Sequence, residues 1–110
     1  MSYTITGILF AVHNELGRFA REKQYGDLLE CKLKEIGLGY AREVNIGGGN
    51  ILDFIIDNKI VLELKATPVL NKDNYRQIQN YLQQTGLDLG ILLTFRNIYV
   101  KPIRIIRINS

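Results

Sequence analysis

Two short apolar runs, Ile51-Leu52-Asp53-Phe54-Ile55-Ile56 and Ile60-Val61-Leu62-Glu63-Leu64-Lys65, constrain the fold more than any other stretch of the chain. Asp57-Asn58-Lys59 separates them, a polar segment of the kind that closes a hairpin. Pairing register decides which side chains share a face, because directly opposed residues of an antiparallel pair point the same way. A two-residue turn at Asp57-Asn58 sets Phe54 opposite Val61 and places Glu63 on the face of Leu52, Phe54 and Ile56, mixing charge into an apolar surface. A three-residue turn opposes Ile56 to Ile60, Phe54 to Leu62 and Leu52 to Leu64, and one face becomes wholly apolar. The second register is the expected one. It leaves Asp53 across from Glu63 on the other face, with Lys65 two residues along and Ile51, Ile55 and Val61 around them.

Opposed side chains on neighbouring strands have Cβ atoms about 5 Å apart, and two like charges at that separation repel by about 3 kcal/mol at an effective dielectric near 20. A divalent cation relieves that repulsion. Two carboxylates with a backbone carbonyl and waters form the hard-oxygen setting that Mg²⁺ or Mn²⁺ prefers, and Lys65 is near enough to orient a water or offset developing negative charge. Such a site suits phosphodiester hydrolysis. The same residues also fit a plainer arrangement, in which Asp53 lies at a frayed strand end and Glu63 and Lys65 form a surface ion pair.

The rest of the chain places this hairpin inside a mixed α/β sandwich. Ile5, Ile8, Leu9, Val12 and Leu16 recur at helical spacing ahead of Gly17, and Tyr25, Leu28, Leu29, Leu33 and Ile36 do so ahead of Gly37. From Tyr40 the period becomes strand-like: Tyr40 to Ile46, a turn at Gly47-Gly48-Gly49, Asn50 to Ile56, and Lys59 to Lys65. After Pro68, Tyr75, Ile78 and Leu82 with Gly86 return to helix. Leu89 to Phe95 then reads as a strand buried on both faces, and Ile103 to Ile108 as an edge strand. With no repeat and no linker, residues 1–110 are expected to form a single domain.

Charge adds a partner class. The chain has 14 basic and 11 acidic residues, yet residues 96–110 hold Arg96, Lys101, Arg104 and Arg107 with no acid, so the remainder carries 10 basic against 11 acidic. A basic end segment favours a polyanion, and these four residues are the expected nucleic-acid contacts. Hydrophobic residues at 46% and charged residues at 23% are those of a folding chain rather than a disordered one. No apolar window is long enough to span a membrane and the start lacks a secretory pattern, so a cytoplasmic protein is expected. The single cysteine, Cys31, offers neither a disulfide nor a zinc cluster.

Asp53 followed by Glu63-Leu64-Lys65 resembles the core of the PD-(D/E)XK nuclease superfamily. More narrowly, the chain resembles its GxxExxY family. Val12-His13-Asn14-Glu15-Leu16-Gly17 is similar to the VHxxLG segment, Glu22-Lys23-Gln24-Tyr25 to ExxY, and Val61 to Lys65 to the ElK strand. Gln77 to Leu82 is similar to the QxxxYL helix and Leu87 to Phe95 to the strand that follows. The order is kept over about residues 5–95, while Phe19 stands where the family glycine would be and Thr94 where it has asparagine.

The resemblance implies a restriction-endonuclease-like sandwich, a mixed β-sheet flanked by helices. It implies that Asp53 and Glu63 bind Mg²⁺ (or Mn²⁺), that Lys65 serves the attacking water, that Glu22 reaches the metal from its helix, and that Gln77 approaches from the next. Glu22, Tyr25 and Leu29 share one helical stripe, which agrees with such a placement of Glu22. The expected activity is hydrolysis of nucleic acid, DNA foremost, by a homodimer, since one small domain carries one site. The rival expectation is a non-catalytic nucleic-acid-binding or protein-interaction module on the same fold. His13 is read as a helix-packing or capping residue, the glycine run as a flexible hairpin, Tyr75 and Tyr81 as core, and Cys31 as at least half-buried.

Overall fold

The spacing of Ile5, Leu9 and Val12 does produce a helix, α1 (Ser2–Leu16), in the computed structural model, which describes residues 2–108. Gly17, at φ 75°, ends it where only a residue without a Cβ is at ease, and its N–H donates to His13 O at 2.8 Å. The second helix, α2 (Glu22–Glu35), starts after Arg21, whose backbone N–H donates to the Gln24 side chain at 2.8 Å. Its buried stripe is Tyr25, Gly26, Leu29 and Leu33. Cys31, two residues from Leu29 and from Leu33, falls on the opposite face and is exposed, contrary to the expectation.

Five strands follow: β1 (Tyr40–Gly47), β2 (Asn50–Ile56), β3 (Ile60–Lys65), β4 (Leu89–Thr94) and β5 (Lys101–Ile106), with α3 (Lys72–Thr85) between β3 and β4. They form one sheet in chain order. Neighbours are antiparallel except β3 and β4, which are parallel and need the α3 crossover to return the chain to the same end of the sheet. Asn71 caps α3 by accepting from Asn74 N–H, and Gly86 closes it in the left-handed conformation.

The sheet has an apolar layer on each face. On one side Ile5, Leu9, Val12, Tyr25, Leu29 and Leu33 of α1 and α2 pack with Phe54, Ile56, Ile60, Leu62, Leu64, Ile91 and Leu93. On the other, Ile78, Tyr81 and Leu82 of α3 pack with Leu52, Val61, Leu92 and Ile105. The mixed sheet between two helical layers is the expected α/β class and is consistent with a restriction-endonuclease-like arrangement.

Three local expectations change. The edge strand begins at Lys101 rather than Ile103, because its ladder with β4 runs from Leu89–Ile106 to Thr94–Lys101; Pro102 is tolerated there, at an edge that pairs on one side only. Tyr75 is exposed on α3, whereas Tyr81 is buried as expected. The third concerns the central hairpin. Ile56 opposes Ile60 and Phe54 opposes Leu62, the three-residue-turn register, with Asp57 and Asn58 in left-handed backbone that Asp and Asn tolerate. Leu52, however, does not share a face with Leu64. It packs under α3, while Leu64 packs under α1 and α2. The β2–β3 ladder stops at the Phe54–Leu62 pair, and the next residue on each strand is an acid.

Candidate active site

At Asp53 and Glu63 the hairpin exchanges backbone bonds for side-chain bonds. The Asp53 N–H donates to Glu63 Oε1 at 2.8 Å, and the Leu64 N–H donates to Asp53 Oδ2 at 2.7 Å. Each carboxylate thus satisfies an amide of the opposite strand, and the two acids meet in the gap they open between β2 and β3. On the outer neighbour of β2, Glu43 adopts φ 54°, so β1 also departs from regular geometry beside the gap. These departures let Leu52 change faces.

Burial makes the pair costly to ionise. Glu63 is only 4% exposed, and its pKa is pushed up to about 7 by burial first and by the Asp53 charge second, against the Asp53 amide and Lys65. Asp53 is also held above its ordinary value, by burial foremost and then the Glu22 charge, with the Leu64 amide, Lys65 and Arg42 pulling the other way. Tyr81 lies behind the pair, its hydroxyl pKa raised by burial and by both carboxylates.

Lys65 lies beside the pair. Its Nζ lies 3.8 Å from Glu63 Oε2 and donates to Gln77 Oε1 at 2.8 Å. Gln77, projecting from α3, therefore positions the lysine. Glu22 opens α2, is exposed, and accepts a hydrogen bond from Ala66 N–H at 3.3 Å, which fastens the start of that helix to the end of β3. It lines a cleft of about 250 Å³ together with Asp53, Lys23, Gly26, Arg42 and Glu43. Among the described residues, no three His, Cys, Asp or Glu side chains are already gathered closely enough to cage a metal; Glu22 shares the cleft with Asp53, and its charge acts on both carboxylates of the pair.

Arg42 belongs to the site and was not singled out from the sequence. It donates to Asp27 at 2.7 Å and to Glu30 at 3.2 Å, and its guanidinium lies over the Phe54 ring. Gly26 makes the room, since a Cβ there would stand 2.5 Å from Arg42 Nη2. The available signal was an arginine on the half-buried alternation of β1. Of the basic tail, Lys101 and Arg104 are exposed, Arg96 is engaged by the carbonyls of Arg18 and Ala66, and Arg107 pairs with Asp88 at 2.8 Å. Lys101 and Arg107 sit near opposite ends of β5, about 20 Å apart at strand rise, so the four do not form one patch. His13 is structural: its Nε2–H is shared between Phe95 O at 3.2 Å and Asn97 O at 2.9 Å. The glycine turn has all three residues at positive φ and joins β1 to β2.

The donor set fits a divalent cation. Asp53 and Glu63 each commit one oxygen to a backbone amide, leaving Asp53 Oδ1 and Glu63 Oε2 as hard-oxygen donors on a buried pair that lacks full charge compensation. No curated protein and no solved structure matches the chain. A family model for the PD-(D/E)XK nuclease superfamily matches residues 1–108. That match covers both helical layers and the whole sheet, as well as the hairpin on which the paired acids and Lys65 stand; the chain belongs to the PD-(D/E)XK nuclease superfamily.

Proposed function

We propose that the protein is a divalent-metal-dependent nuclease of the GxxExxY type that hydrolyses phosphodiester bonds of DNA and acts as a homodimer. Membership of the superfamily supports the nuclease class and the use of a metal. One observation carries the residue assignment: Asp53 and Glu63 meet in the opened hairpin with Lys65 held beside them by Gln77.

Asp53 and Glu63 would hold Mg²⁺ or Mn²⁺, with Glu22 approaching from the cleft they share. The ion supplies Lewis acidity and a more acidic bound water. Lys65 is held between Glu63 and Gln77, placed to orient the attacking water and to offset the charge that grows on phosphate oxygens. Gln77 removes the rotational freedom of that long side chain. Arg42, tied to α2 by two carboxylates, contributes positive potential on the cleft side of Asp53.

The test has two readouts. Mn²⁺ titration followed by thermal melting should raise the Tm of the wild type and not that of Glu63→Ala, because only a folded-state ligand shifts the transition by mass action. Incubation with single-stranded DNA, duplex DNA and RNA should then give metal-dependent cleavage that Lys65→Ala loses by at least about 100-fold. A metal shift without cleavage by any preparation would instead identify the non-catalytic module.

A further inference from the structure

Three loops converge at the end of the sheet that carries the paired acids. Residues 17–21 join α1 to α2, residues 66–71 follow β3, and residues 95–100 join β4 to β5. They are bound together by side chains that donate to backbone carbonyls: Arg96 donates to Arg18 O and Ala66 O, Asn97 Nδ2 donates to Pro68 O, and His13 donates to Asn97 O. The platform is therefore built, not a set of independent loops. Glu22, fixed to Ala66, adjoins it directly.

Its exposed surface has an unusual composition for a soluble face. Phe19 is 75% exposed and Tyr99 80% exposed, with Val69 and Ile98 between 60% and 80%. The Arg18 guanidinium lies 4.8 Å from the centre of the Phe19 ring, leaving the ring's other face unoccupied by it. Across the three loops there are Arg18, Arg21 and Arg96 and no acidic residue, and Lys101 follows at once.

We infer that this platform holds an unpaired nucleic-acid strand, with Phe19 and Tyr99 stacking on bases and Arg18 and Lys101 meeting phosphates. Exposed ring faces are useful only to bases that are not already stacked in a duplex, and the acid-free, arginine-bearing loops complement a phosphate backbone. The inference rests on the nuclease reading and sharpens it: a strand crossing the platform leads to the acids of the hairpin, so the substrate is single-stranded or carries a single-stranded end.

Fluorescence anisotropy with a labelled oligothymidylate of about 20 nucleotides and with a duplex of the same length, both in excess EDTA, separates this from catalysis. The wild type should bind the single strand more tightly. Phe19→Ala and Tyr99→Ala should each weaken that binding by about 5- to 100-fold while changing duplex binding by less than about twofold. Both side chains are exposed, so the variants should melt with the wild type. Tyr3→Ala, which removes a still more exposed ring at the far end of α1, should change nothing. Tighter binding of duplex, equal loss on both probes, or no loss in either variant would overturn the platform; so would absence of oligonucleotide binding altogether, which would leave a protein partner as the occupant. Cleavage that ignores Phe19 and Tyr99 would sink the platform and spare the nuclease, whereas ring-dependent binding without metal-dependent cleavage would do the reverse.

Discussion

Glutamine at position 63 keeps the shape of the buried side chain and its acceptor for the Asp53 amide, but removes the charge that burial opposes. In the metal-free protein Glu63 has its pKa raised to about 7 from an ordinary 4.5. The folded state therefore binds its proton more tightly than the unfolded state does. The contribution of Glu63 to stability is intact below about pH 4.5, falls as the pH climbs towards 7 and is fully lost above it. A shift of this size corresponds to about 3 kcal/mol at 1.4 kcal/mol per unit. The attraction of Lys65 at 3.8 Å is already contained in that net shift, so nothing further is subtracted for its loss in Glu63→Gln. Desolvation wins. Without metal, the variant should be more stable than the wild type by about 3 kcal/mol at about pH 8.5, and the gap should shrink below about 1 kcal/mol near pH 5. Urea denaturation in EDTA at the two pH values measures this directly, provided the slope is unchanged. Saturating Mn²⁺ at about 100 times its Kd should return about 2.7 kcal/mol to the wild type and little to the variant. A variant less stable at the higher pH, or a gap indifferent to pH, would refute the account of Glu63 as a buried and undercompensated charge.

Two further substitutions probe the positioning of the site. Gln77→Ala should reduce metal-dependent cleavage by about 10-fold or more through loss of the hydrogen bond that directs Lys65, while the Mn²⁺-induced rise in Tm persists, because Gln77 makes no claim on the ion. Gly90→Ala should destabilise the fold by about 1–3 kcal/mol in thermal or urea unfolding, since its methyl would stand 2.8 Å from Ile78 Cγ2, a stiff β-branched side chain at the α3–β4 contact. By contrast, Gly26→Ala should fall within about 1 kcal/mol of the wild type, because the group it displaces is the flexible end of Arg42 and the loss of two surface ion pairs is offset by higher helix propensity.

Periodicity along the chain already specified most of the elements and the register at the heart of the site. Ile5, Leu9 and Val12 on one helix, Tyr25, Leu29 and Leu33 on the next, and the opposition of Ile56 to Ile60 all follow from local spacing, because a helix or strand exposes its apolar face to inspection before it packs. The meeting of Asp53 with Glu63 was legible for the same reason, since a hairpin is a local structure. What lay outside that reach depends on contacts between distant segments. Leu52 passes to the α3 face because two carboxylates interrupt the ladder beside it; Gln77 meets Lys65 because a parallel pair needs a crossover helix; Arg107 is neutralised by Asp88 from another loop. Burial, and with it the raised pKa of Glu63, likewise exists only once α3 covers the sheet. Local covalent pattern decides which face of an element is apolar, but desolvation and charge pairing are properties of the space between elements, and that space is created only by folding.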